Sequence, residues 1–187
     1  MTSDSSTGAG PLAVLIGSPG AGKTSVGRRV AQRLGIPFTD TDALIESEAG
    51  MAVADIFLNE GEEAFRRREA VAVAEALLSH EGILSLGGGA VLREETRERL
   101  QGHRVVWLRV SVADAASRVG LNTARPLLLG NVRGTLNTLL QERTPLYESV
   151  ATDVVDTSGR PLREVVDDVA ELLAPASSTS HGREVVE

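Results

Sequence analysis

"GSPGAGKT", Gly17–Thr24, follows the apolar run Leu12–Ile16 and opens an amphipathic stretch, Thr24–Leu34. Glycines at this spacing let the backbone curl so that successive N–H groups converge. The helix that follows turns its positive end to the same point. A lysine placed next reaches the β- and γ-phosphates of a nucleotide, and the adjoining hydroxyl is a Mg²⁺ ligand. The stretch therefore assigns Lys23 to phosphate charge, Thr24 to the metal, and Gly20, Ala21, Gly22 and Ser25 to the cradle. It also implies a strand–loop–helix unit, the building block of an α/β fold.

Outward from that unit, the rest of the chain keeps the same rhythm. Strands are expected at Leu12–Ile16, Ile36–Thr39, Ile83–Leu86, Val105–Val110 and Asp153–Val155. Most are unbroken apolar runs, which suits strands of a parallel sheet covered on both faces. Helices are expected at Thr24–Leu34, Glu62–Ser79, Glu94–Gln101, Val112–Val119, Gly134–Glu142 and Leu162–Leu173. One segment, residues 120–134 ("GLNTARPLLLGNVRG"), has no periodicity and is long for a connection in a small domain. Such a segment is often a lid or binding loop, although a tolerated insertion gives the same pattern. Residues 12–173 read as one domain, between a polar tail at 1–11 and another at 174–187, both expected to be disordered.

Composition narrows the function classes. A chain of 187 residues can bury a core without covalent staples. There is no cysteine, so disulfides and thiolate metal sites are excluded. A net charge of −7 argues against a general nucleic-acid binder, which carries a basic face. The longest apolar run, residues 11–17, is far too short to span a bilayer, and the N-terminus lacks the pattern of a secretion signal. These features place the protein in the cytoplasm, with a monomer as the default state. Lys23 is the only lysine among 19 basic residues. Under so strong an arginine bias, a retained lysine suggests a need for a compact ammonium.

Beside the cradle, "DTD" sets Asp40 and Asp42 at the carboxyl end of the second expected strand. That edge of an open parallel sheet is where ligands bind. Extended geometry would aim residues i and i+2 into one cleft, with Asp40 in the magnesium shell and Asp42 on an acceptor hydroxyl. The competing reading is a helix N-cap at Asp40 or Thr41, and the two roles are compatible. Gly87, Gly88 and Gly89 follow the third strand, where bare amides can approach a small polar ligand; a plain loop is the alternative. Arg66 stands three residues before Glu69, which can orient it. Arg143 reads either as a ligand arginine or as a surface residue near a helix C-terminus. Arg125 lies inside the lid candidate, where closure would bring its charge onto the phosphates.

Taken in order, "GSPGAGKTSVGRRVA", "DTD", "ADIF…GEEAFRRRE", "LSLGGGAV", "NTARPLL" and "ERTPLY" resemble the shikimate kinases over residues 12 to 173. Each motif alone is shared with other small-molecule kinases; the ordered set is specific. The resemblance implies a P-loop NTPase-type three-layer α/β sandwich with a central five-stranded parallel sheet and a mobile lid. It implies transfer of the γ-phosphoryl of ATP to the 3-hydroxyl of shikimate, with one Mg²⁺ per active site. Carried over by motif, Asp42, Arg66, Arg143 and the glycine run, chiefly Gly88, take the substrate. Lys23, Asp42 and Arg125 carry the catalysis. Arg118, with Arg160 and Pro161 in a more loosely matching stretch, falls near the adenine. Leu121 departs from the glycine or polar residue common in the family, at the lid's hinge. The rivals are a gluconate-type kinase and a catalytically silent nucleotide-binding regulator on the same fold.

Overall fold

In a computed structural model, which describes residues 10–120 and 131–174, every residue of the strand Ala13–Ile16 (β1) is buried. The other strands are Phe38–Asp40 (β2), Ile83–Ser85 (β3), Val105–Arg109 (β4) and Asp153–Asp156 (β5). They form one parallel sheet in the order β2-β3-β1-β4-β5, so β1 lies at its centre. Val14 faces Leu84 of β3 on one side and Val105 of β4 on the other. The chain passes from β1 to the edge strand β2, returns through β3 and then crosses over β1 to β4 and β5. The strand order thus reverses around β1, which makes its carboxyl end a switch point and a natural ligand crevice.

The alternation of side chains along the strands divides the core into two layers. Ala13 and Leu15 pack with Val26 and Val30 of Lys23–Leu34 (α1) and with Val165 and Val169 of the last helix. On the opposite face, Val14 and Ile16 pack with Val73 and Leu77 of the 18-residue helix Glu62–Ser79, and with Tyr147 further on. Both faces of the sheet are thus covered, which is why its strands carry no polar alternation.

Between β2 and the 18-residue helix lie two short helices that the sequence reading did not separate, Thr41–Ala49 (α2) and Val53–Glu60 (α3). Glycines stop both: Gly50 adopts a left-handed conformation at the end of α2, and Gly61 ends α3 and starts Glu62–Ser79 (α4). Ile45, Ile56, Phe65 and Ala72 join α2, α3 and α4 in a small core of their own. After β3 come a 3₁₀ turn at Ala90–Leu92, the helix Glu94–Arg99 (α5), then β4 and the helix Val112–Gly120 (α6).

The helix expected at Gly134–Glu142 is longer, Val132–Val150 (α7). The side chain of Asn131 caps it by accepting from the Gly134 N–H at 3.0 Å, so residues 132–134 are helical rather than part of a lid. The helix continues through Pro145 to Val150. The chain closes with β5 and Leu162–Leu173 (α8). Arg125, Leu121 and most of the lid candidate lie outside the described residues.

Candidate active site

The loop after β1 turns into α1 through Gly20 and Gly22, whose φ angles of 81° and 90° are open to glycine and costly for other residues. Gly22 is the N-cap of α1, so the unpaired N–H groups of the first helical turn face the loop. Lys23 begins the helix and lies across the mouth of the loop. Its Nζ donates to the Gly17 carbonyl at 2.8 Å and to the Ser18 carbonyl at 3.1 Å. Gly20, Gly22, Lys23 and Thr24 border a cavity of about 310 Å³, and Asp42 and Gly88 close its far wall.

Asp40 holds two positions at once. One carboxylate oxygen accepts the backbone N–H of Asp42 at 3.0 Å, capping α2. The other accepts the Thr24 hydroxyl at 2.8 Å. The capping reading holds, and the cap leaves the second oxygen of Asp40 beside Thr24. The extended i, i+2 geometry expected for the pair does not hold, because Asp42 already sits in the first turn of α2. A cap, rather than a strand, aims its carboxylate. Thr24 Oγ1 and Asp40 Oδ2 are hard oxygen donors beside the phosphate loop and suit Mg²⁺, which binds few protein ligands along with phosphate oxygens and water.

Each member of the glycine run abuts a group in the site. A Cβ at Gly87 would strike Glu69 Oε1 and come within 2.9 Å of Asp42 Oδ1. One at Gly88 would lie 3.0 Å from Pro19 Cδ of the phosphate loop, and one at Gly89 would collide with the Arg66 guanidinium. The run is a requirement of close approach, not a plain loop. Gly87 differs from the expectation in one respect. Its N–H donates to the buried Thr41 hydroxyl at 3.1 Å and so is already engaged within the protein.

Arg66 is buried and ion-paired with Glu69 at 2.6 Å, as the i, i+3 spacing anticipated. Its guanidinium stands 5.3 Å from the Phe65 ring centre and 6.0 Å from that of Phe57. Of its neighbours, Arg67 is solvated and Arg68 pairs with Glu60 and Glu48. Arg143 is 5% exposed, which removes the surface reading. Burial pushes the Glu69 carboxyl above its ordinary value, although the charge and hydrogen bond of Arg66 oppose it; Asp42 and Arg143 also act on it. Four groups from α2, α4 and α7 therefore share one electrostatic environment. The buried Nε–H groups of Arg66 and Arg143 have no acceptor among the described residues. Two buried guanidinium donors that both act on Glu69 suit a carboxylate ligand, because a buried donor left unmatched is costly.

On the other flank, Arg118 of α6 donates to the Gly20 carbonyl and the Thr157 hydroxyl at 3.1 Å, and to the Thr157 carbonyl at 2.7 Å. Arg118, Arg160, Gly22 and Ser25 border a second hollow of about 190 Å³ beside the first. Arg160 is tied to the Asp156 carbonyl and the Asp168 carboxylate. Sequence reasoning missed Thr41, Thr157 and Tyr147. Tyr147 alone carried a local signal, standing four residues after Arg143 and so on the same helical face.

Comparison with known proteins agrees with this geometry. The family model for shikimate kinase matches residues 19–174. A shikimate kinase of Thermobifida fusca is 60% identical over 89% of this chain and 96% of its own. The solved structure of the Acinetobacter baumannii shikimate kinase in complex with shikimate superposes with a TM-score of 0.84. It is 36% identical, over 92% of this chain and 97% of that one. A Sinorhizobium meliloti gluconokinase reaches 22% identity and a TM-score of 0.54, over 89% of this chain and 93% of its own, a likeness of fold alone.

Proposed function

The chain belongs to the shikimate kinase family and transfers the γ-phosphoryl of ATP to the 3-hydroxyl of shikimate, and we propose that Asp42 positions that hydroxyl. The observation that carries this assignment is that Asp42 and Arg66 abut the glycine run and act with Arg143 on the one carboxyl of Glu69, while Asp42 borders the same cavity as Lys23. Two guanidinium forks match a carboxylate, and the acceptor is a small acid bearing hydroxyls. Asp42 accepts a hydrogen bond from the hydroxyl under attack, orienting it in line with the γ-phosphorus. Phosphoryl transfer needs little covalent help from the protein, so catalysis is chiefly placement and charge stabilisation.

Lys23 supplies positive charge to the transferring group, with the loop amides and the N-terminus of α1 holding the β-phosphate side. Mg²⁺ would be held by Thr24 directly and by Asp40 through water, neutralising phosphate charge when bound. Arg118 and Arg160 flank the adenine, and Arg125 is assigned to positive charge on the transferring phosphate. The Gly88 and Gly89 amides meet the acceptor. The enzyme is proposed to act as a monomer in the cytoplasm; among the described residues no helix is long and apolar enough to cross a membrane.

The test is ADP production at defined Mg²⁺, with shikimate, with gluconate and with neither. Shikimate alone is expected to drive release; gluconate-driven release, or release indifferent to both, would overturn the reading. Arg66→Ala and Arg143→Ala should each weaken shikimate binding about tenfold to a hundredfold in a calorimetric titration, the worth of one or two charge-assisted bonds. ATP affinity should stay put. Unchanged shikimate affinity in either variant removes that arginine from the acceptor site.

A further inference from the structure

Tyr147 is buried at the back of the acceptor site and has no part in the chemistry above. Its hydroxyl donates to the Gly88 carbonyl at 2.6 Å, bridging α7 to the loop after β3. Arg143, one turn earlier on α7, lies close enough that its charge favours the ionised phenol. Burial, opposed in part by Arg143, pushes the phenol up to about 12, so at neutral pH it stays a proton donor. Its ring stacks on Trp107 of β4, 5.8 Å between centres, which fixes the side chain against the sheet.

We propose that Tyr147 is a positioning residue for the acceptor, locking the Gly88–Gly89 peptide and Arg143 into one binding-competent arrangement. The argument rests on the acceptor assignment made above. A peptide unit is planar and trans, so holding the Gly88 carbonyl toward Tyr147 turns the Gly89 N–H the opposite way. Glycine offers little resistance to rotation on either side of that unit. Without a tether the run would sample other orientations, and apparent affinity falls in proportion to the competent fraction. The phenol supplies the tether, with Arg143 one turn away on the same face of α7. A helix-borne arginine and a loop-borne amide thereby share one point of reference.

The experiment compares wild type, Tyr147→Phe and Trp107→Phe in steady-state kinetics for both substrates, with melting temperatures alongside. Tyr147→Phe keeps the ring and deletes only the hydroxyl. It is expected to raise the shikimate KM about five- to tenfold, the factor one net hydrogen bond carries, with the ATP KM unchanged. Trp107→Phe loosens the same packing without touching the hydroxyl. It should lower the melting temperature and leave the shikimate KM as in wild type. A shikimate KM unmoved by Tyr147→Phe overturns the proposal, as does a parallel rise in both KM values. An equal rise in Trp107→Phe would reduce Tyr147 to packing and also overturn it. If the wild-type enzyme showed no shikimate-dependent turnover, the functional reading would fall and this inference with it; an active wild type beside an indifferent Tyr147→Phe removes the inference alone.

Discussion

Asp42 reaches the crevice from a helix whose first turn is held by Asp40, and Asp40 in turn is held by Thr24. Its direction is therefore set by the same pair proposed to flank the metal. Asp42→Asn keeps the shape and removes the negative charge that orients the hydroxyl. Turnover should drop about 10²–10⁴-fold, the usual effect of losing a positioned acid–base group, while ATP binding persists. Near-normal turnover would take Asp42 out of the mechanism. Glu69 gives a second test at this scale. Burial leaves its carboxyl above the ordinary 4.5 despite the pull of Arg66, with Asp42 adding to the rise and Arg143 opposing it. A carboxyl that holds its proton more tightly folded than unfolded makes stability fall as pH rises from the unfolded value through the folded one. Glu69→Gln should remove that contribution, so its melting temperature should fall less than that of wild type as pH rises from 4.5. Parallel profiles would show that Glu69 titrates alike in both states.

At the scale of elements, backbone approach decides as much as side-chain chemistry. Gly82, just before β3, is one such point: a Cβ there would collide with the Pro37 carbonyl, which accepts the Ile83 N–H at 2.9 Å. Gly82→Ala must push β3 away from the chain entering β2. It should cost about 1–3 kcal/mol, the range for forced overpacking, read as a lower urea midpoint. An unchanged midpoint would mean that the Pro37 segment yields freely. The inner strands and the phosphate loop were legible in the sequence because buried parallel strands are near-continuous apolar runs and the loop is a local motif. The partly exposed edge strands β2 and β5, by contrast, carry aspartates and show only short apolar cores. Helices α2 and α3 were not legible, since nine and eight residues give too few turns for a clear stripe. Arg143 looked terminal because the helix was expected to end at Glu142, yet it runs on to Val150. Asp42, Arg66 and the glycine run could be named from motifs. The contacts of Thr41 and Tyr147, though both stand in these motifs, could not, because their partners Gly87 and Gly88 lie 46 and 59 residues away in the chain.

Taken whole, the molecule is a sheet with a hydrophobic layer on each face and a third small core under the acceptor side. All three cores are built from residues between Ala13 and Leu173. A chain cut to residues 10–174 is therefore expected to unfold in a single transition and to retain shikimate-dependent turnover. Loss of either would give the ends a part in the fold or the reaction. The position of Lys23 has a further consequence for chemistry done on the protein from outside. Since the chain has one lysine, an amine-selective acylating reagent finds two addresses, the α-amino group and a side chain at the mouth of the nucleotide loop. Covalent labelling thus becomes a nearly single-site reporter: ATP should shield one address and leave the other exposed, so intact mass alone would register occupancy.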